Sequence, residues 1–170
     1  NPNAVAHLAS CLRRGLRAGG CPAVGKHFPG HGFVVADSHV DVPVDERPLD
    51  ALLADDLIPF ANLVREGLEA VMPAHVVYPQ IDRRPAGFSR RWIKLLRDDL
   101  GFTGAVFSDD LLMAGARAAG SVAERAAAAL DAGCDFALVC NDTAAMDQVL
   151  GAVKWKRSAR FDARLARLQP

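Results

Sequence analysis

The sequence has 170 residues, 51% hydrophobic and 24% charged, enough for one domain with a sizeable core. Lys+Arg and Asp+Glu both number 20, so no field of one sign draws the chain to nucleic acid or to a membrane surface. No apolar run approaches the roughly 18 residues that would span a bilayer.

Asn3 to Ala18 reads as a helix, with Ala4, Val5, Leu8, Cys11, Leu12 and Leu16 as its apolar stripe and Gly19-Gly20 as its stop. Cys21 to Gly25 reads as a short buried strand ending at Lys26. Phe28 to Pro48 is rich in Gly, Pro, Asp and His without helical period, and long loops of this kind are usually functional. Asp50 is expected to cap a helix from about Ala51 to Glu66, interrupted by Pro59. Ala70 to His75 reads as a second strand. Ser89 caps a helix to Leu100 that Gly101 closes. Gly104 to Ser108 is a third strand, terminated by Asp109-Asp110. Ser121 and Glu124 have capping-box spacing for a helix to Ala132. Asp135 to Cys140 is a fourth strand, and helices over about Thr143 to Val153 and Ser158 to Leu168 complete the chain.

Regular alternation of helix and strand predicts an α/β fold with about four parallel strands. A complete (β/α)8 barrel needs roughly 250 residues, so the chain amounts to about half of one. Polar residues gather where the strands finish, at Lys26/His27, His75, Asp109/Asp110 and Asn141. Strand ends of this kind are where barrels and open α/β sheets place their sites.

Four cysteines, Cys11, Cys21, Cys134 and Cys140, form no C-x-x-C pair. Cys134 and Cys140 border an apolar run and are expected as buried thiols, in a reducing, cytoplasmic setting. The chain shows no signal peptide and opens Asn-Pro-Asn without Met, which reads as a fragment or a processed product.

Three segments carry candidate chemistry. Lys26-His-Phe-Pro-Gly-His-Gly32 is either a turn with solvated charges or a ligand-holding strand end. It is no phosphate-binding loop, because the Lys precedes the glycines. His27 and His31 are four apart, but Pro29-Gly30 breaks any helix between them, and no metal is expected. Asp37-Ser-His39 places a carboxylate beside an imidazole, which side chains two apart in extended chain can reach. Such a pair can donate or accept a proton near neutral pH, or be a solvated loop pair of little consequence. Phe107-Ser-Asp-Asp110 puts two acids at a strand end, with Asp109 aimed at a site and Asp110 expected as a helix cap. His75 either lines the pocket or is a satisfied structural histidine. Met113 and Trp155 are expected in packing.

Taken together, these segments resemble the bacterial β-N-acetylhexosaminidases of glycoside hydrolase family 3, of the peptidoglycan-recycling type. The resemblance rests on Lys26 to Gly32, Ala36-Asp-Ser-His39, Val71-Met-Pro-Ala-His75, Leu100 to Leu111, Asp131-Ala-Gly-Cys-Asp135 and Leu138-Val-Cys-Asn141. It implies a TIM barrel of which residues 1–170 are the second half. It implies Asp109 as nucleophile, His39 as general acid/base and Asp37 as its partner. Lys26 and His27, with His75 beside them, would hold the sugar, and a mobile loop over about 33–46 would carry the acid. No cofactor is implied. The partner is a sugar ending in N-acetylglucosamine, together with the missing N-terminal half of the barrel.

Most glycosidases pair two carboxyl groups. An imidazole, with a solution pKa of roughly 6.5, exchanges protons without the desolvation a carboxylic acid needs, which suits a wet loop. Two rival readings stay open: a catalytically silent half-barrel serving as an assembly or binding module, and a phosphorylase in which phosphate replaces water.

Overall fold

Asn1 caps helix α1 (Pro2–Ala18) by accepting from the amides of Asn3 and Ala4 in the computed structural model, which describes residues 1–169. Four parallel strands follow along the chain: β1 (Val24–Phe28), β2 (Ala70–Pro73), β5 (Ala105–Asp110) and β6 (Phe136–Leu138). They lie side by side in the order β1-β2-β5-β6, the parallel half-barrel that the alternation predicts. Between β2 and β5 stands an antiparallel hairpin of β3 (Val77–Tyr78) and β4 (Asp82–Pro85), which the sequence pattern did not announce. Its second strand reads Asp-Arg-Arg-Pro, with no apolar alternation to reveal it.

The helices fill the crossovers. The expected 51–66 helix is two, α2 (Leu49–Ala54) and α3 (Leu57–Arg65), broken at Asp55-Asp56 rather than at Pro59. Pro59 sits in the first turn of α3, where a missing N–H costs nothing. Ser89 caps α4 (Arg90–Lys94) through Trp92 N, and the helix widens into a π turn over Leu95–Asp99 before Gly101. α5 (Val122–Ala132) carries the full Ser121/Glu124 capping box and ends at left-handed Gly133. α6 (Thr143–Ala152) is capped by Asp142, and α7 (Ala159–Ala166) by Ser158.

Leu52, Leu57, Leu68, Val71, Val106 and Leu111 form the core between sheet and helices. Phe28 at the end of β1 meets Phe60 and Trp92 edge-on at 5.3 and 5.9 Å, and Trp92 meets Tyr78 at 5.1 Å. This aromatic knot fixes the strand end that carries Lys26 and His27. Met113 is buried as expected. Trp155 is half exposed but packs edge-on against Phe161 at 4.7 Å.

One expectation of burial is corrected. Cys140 is exposed while Cys134 is buried, because β6 ends at Leu138 and Cys140 lies beyond the sheet. The α1 stripe does not face this core: α1 buries Ala6 and Ser10, and Leu8 and Leu12 are 68% and 66% exposed. The rotation is set by polar anchors. Arg13 donates to buried Glu69 at 2.7 Å and to the Gly67 carbonyl at 2.8 Å, and the Ser10 hydroxyl donates to Glu66 at 2.5 Å.

Candidate active site

Both strand ends that carry candidate chemistry are bulged. β1 spends one residue more than β2 between Lys26 and Phe28, and that residue is His27. β5 spends one more than β6 between Phe107 and Asp110, across Ser108 and Asp109. A bulge breaks the alternation of side chains and re-aims them, here toward each other. His27 Nε2 lies 3.6 Å from Asp109 Oδ2, a close polar contact too long for a hydrogen bond. Lys26-His27 and Phe28-Pro29 are cis peptide bonds.

Asp109 is nearly buried, and its Oδ1 accepts from the Asp110 amide at 2.8 Å. Burial holds the His27 imidazole below its ordinary range; Asp109 opposes the shift, and the charges of Lys26, His31 and His39 add to it. His27 and His31 rings stand 6.2 Å apart, edge to face. Among the described residues, no group of three or more His, Cys, Asp or Glu side chains is placed to hold a metal ion.

The 28–48 segment carries the Asp37/His39 pair in a turn rather than in extended chain. Asp37 O accepts from the amides of Val40 and Asp41 at 3.0 and 2.9 Å. Asp37 Oδ1 accepts from the His39 amide at 2.9 Å and contacts ring Nδ1 at 2.7 Å. Those bonds, amide first and ring second, hold the Asp37 carboxyl below the usual carboxylate range. Both side chains are exposed, but Ser38 between them is buried, and its carbonyl accepts from Gly115 N at 3.0 Å. Gly115 lies in the 3₁₀ turns (Ala114–Ala119) that follow β5, so the loop is seated against the segment leaving Asp109.

His75 is placed otherwise than a pocket-lining residue. It is fully buried, stacked on Phe88 at 5.2 Å, with Nε2 3.1 Å from the Asp110 carbonyl and Nδ1 without a partner. Burial keeps its imidazole below the ordinary histidine range, against the opposing Asp109 charge. It supports the strand end from beneath and presents no surface to a sugar. Asp110 is less a helix cap than a tie: its Oδ1 accepts from Leu112 N at 3.1 Å and from Cys140 N at 3.2 Å, joining the ends of β5 and β6.

Sequence reasoning missed Arg47. Its guanidinium donates to Asp45 at 2.7 Å, contacts Asp56 at 2.7 Å and lies 4.0 Å over the Phe33 ring. It therefore clamps both ends of the loop carrying His39. A signal was present: Asp45-x-Arg47 repeats the spacing of Asp37-x-His39, and in both the carboxylate accepts from the amide two residues on.

All these polar groups lie at the carboxyl ends of parallel strands or on the loops that follow, which defines the class: part of a (β/α) barrel with a polar cluster at its C-terminal face. The chain belongs to glycosyl hydrolase family 3, whose N-terminal domain it matches over residues 1–170. A beta-hexosaminidase of Thiobacillus denitrificans is 57% identical over 99% of this chain and 47% of its own length. NagZ from Neisseria gonorrhoeae, solved in complex with N-trifluoroacetyl-D-glucosamine, superposes with a TM-score of 0.90 at 50% identity, over 99% of this chain and 49% of that one. A family 3 beta-N-acetylglucosaminidase from Paenibacillus sp. superposes at 0.84 with 35% identity, over 96% of this chain and 33% of that one. The chain spans about half the length of the curated relatives it matches.

Proposed function

We propose that this chain carries the catalytic residues of a retaining exo-β-N-acetylglucosaminidase. The observation that carries this reading is the Asp37–His39 contact of 2.7 Å on a loop seated beside the strand of Asp109. Because Asp37 engages ring Nδ1, Nε2 is the atom left to exchange a proton with substrate. Asp109 attacks the anomeric carbon of a terminal β-linked N-acetylglucosamine as the bond to the leaving oxygen breaks. His39 Nε2 gives that oxygen its proton. Water then attacks the anomeric carbon, His39 takes a proton from it, and the ester to Asp109 breaks, giving net retention. Lys26 and His27 hold sugar hydroxyls at the end of β1. Residues 1–170 act as one part of the catalytic domain, with 33–46 as its moving segment.

Relatives named beta-hexosaminidase, and a similar structure that binds N-trifluoroacetyl-D-glucosamine, support the sugar class. The resemblance of the motifs to peptidoglycan-recycling enzymes supports GlcNAc–anhydro-muropeptides as substrate and the cytoplasm as setting. No helix of the described residues is long and apolar enough to cross a membrane. The N-terminal half of the barrel is the partner, and relatives of twice the length support it.

Covalent trapping tests this reading. The complete barrel, treated with a slow 5-fluoro-N-acetylglucosaminyl fluoride, is expected to gain a sugar ester on the peptide containing Asp109. An adduct on Asp110, or none with turnover intact, overturns the assignment. Running the same turnover with and without phosphate shows whether water or phosphate is the acceptor.

A further inference from the structure

We propose that Gly115 is a positioning residue, the seat on which the acid-carrying loop docks. The effect on rate rests on the hydrolase reading above; the dock itself rests on geometry alone. Gly115 N–H donates to the Ser38 carbonyl at 3.0 Å. Ser38 is 5% exposed and stands between Asp37 and His39, whose side chains reach into solvent. The bond thus pins the loop one residue from the acid and one from its partner.

Space, not backbone angle, requires glycine here. Gly115 is not among the residues with positive φ, so alanine can adopt the same backbone. A Cβ at 115, however, would lie 2.8 Å from His75 Cβ, 2.9 Å from the His75 carbonyl oxygen and 3.3 Å from the Ser38 oxygen. Two of those atoms are backbone and the third is a β-carbon, so none can swing aside. The turn that carries residue 115 must therefore shift off His75, and the Ser38 carbonyl that its N–H holds shifts or is released with it.

His75 completes the seat. The buried ring bonds the Asp110 carbonyl through Nε2 and is held flat on Phe88. Asp110 follows the nucleophile directly, so one buried histidine references two things at once: the strand end that carries Asp109 and the glycine that receives the Asp37–His39 loop. Nucleophile and acid come from distant parts of the chain, and this contact sets how they lie to one another while the loop is docked. It gives a fully buried histidine, which no sugar can touch in this geometry, a place in the reaction.

The experiment is Gly115→Ala in the complete barrel, with rates read on two N-acetylglucosaminides. A dinitrophenyl leaving group needs no proton, whereas an alkyl leaving group does. kcat/KM for the alkyl glycoside is expected to fall by about 100-fold, as misplacing a catalytic group by about 1 Å does, while kcat/KM for the dinitrophenyl glycoside, which reports the first step alone, stays nearly normal. Equal loss on both substrates, or loss on neither, overturns the proposal. A variant that fails to fold is recognised by its thermal midpoint. Amide exchange of the unaltered protein then decides: the Gly115 amide should be protected to the same degree as those of Val40 and Asp41, which close the loop's turn. A freely exchanging Gly115 amide overturns the dock. Failure of the hydrolase reading is distinct, because the unaltered barrel would then turn over neither glycoside while the exchange result still stands.

Discussion

The Asp37 carboxylate has two bonds from a single residue, the amide and the ring of His39, and both lower its proton affinity. It stays ionised across the neutral range and engages ring Nδ1, which leaves Nε2 as the free ring nitrogen. Replacing His39 by alanine should therefore divide the two half-reactions. Alkyl glycosides should lose about 10² to 10⁴ in kcat/KM, the usual worth of a general acid. Dinitrophenyl glycosides should show a fast burst of phenolate followed by slow turnover, because the second step still needs a base; a uniform loss without a burst removes His39 from the acid role. His27 and His75 predict a pH effect on stability. Burial keeps both imidazoles below the ordinary histidine range in the folded chain, so the unfolded chain binds protons more readily. Stability from these groups is complete above roughly pH 6.5 and declines as pH falls below it. Urea midpoints should drop between about pH 7 and about pH 5, and His75→Gln should flatten that slope. A midpoint independent of pH over this interval would show that neither ring is buried neutral.

Among the elements, Asp-x-basic turns recur at Asp37-x-His39, Asp45-x-Arg47 and Asp82-x-Arg84, each with the carboxylate accepting from the amide two residues on. The first was legible in the sequence as chemistry and the second, equally visible, was passed over as loop. Arg47 is the more consequential structurally. Asp45 is 1% exposed and depends on it, and Phe33 lies under it at the other end of the loop. Arg47→Ala should cost about 3–5 kcal/mol in urea unfolding, because it strands a buried carboxylate, and should speed proteolytic cutting within 33–46. An unchanged midpoint would show that Asp45 finds another partner. The bulges at His27 and Asp109 were not legible at all. Motif order named the residues, but a single extra residue in a strand reverses which face each side chain takes, and only the register against β2 and β6 reveals it. The helix break at Asp55-Asp56 was hidden for a similar reason: Pro59 is the stronger local signal, yet its place in the first turn makes it harmless.

For the molecule as a whole, the alternation of strand and helix was enough to foresee a parallel half-barrel, and it could not say which way α1 would turn. Helical spacing identified the stripe of Val5, Leu8, Leu12 and Leu16; polar anchors to Glu66 and Glu69 decided that it faces away from this core. Those side chains and Val24 are left exposed beside β1, which among the described residues has a strand neighbour only in β2. Val5, Leu12, Leu16 and Val24 line one groove with Phe60 and Leu63, and Lys26 and His27 line it as well. An apolar groove continuous with the strand end that would hold the sugar, and an unpaired sheet edge alongside, is the surface a further part of the barrel would cover. Burying a leucine is worth about 1.5–3 kcal/mol, so Leu12→Glu should weaken pairing with a separately supplied N-terminal half by at least about tenfold. Any self-association of the chain alone through this groove should fall with it. Titration followed by size-exclusion measures both. If Leu12→Glu left the pairing affinity unchanged, the groove would not be where the two halves meet, and activity restored by the added half would have to come through the opposite edge, at β6.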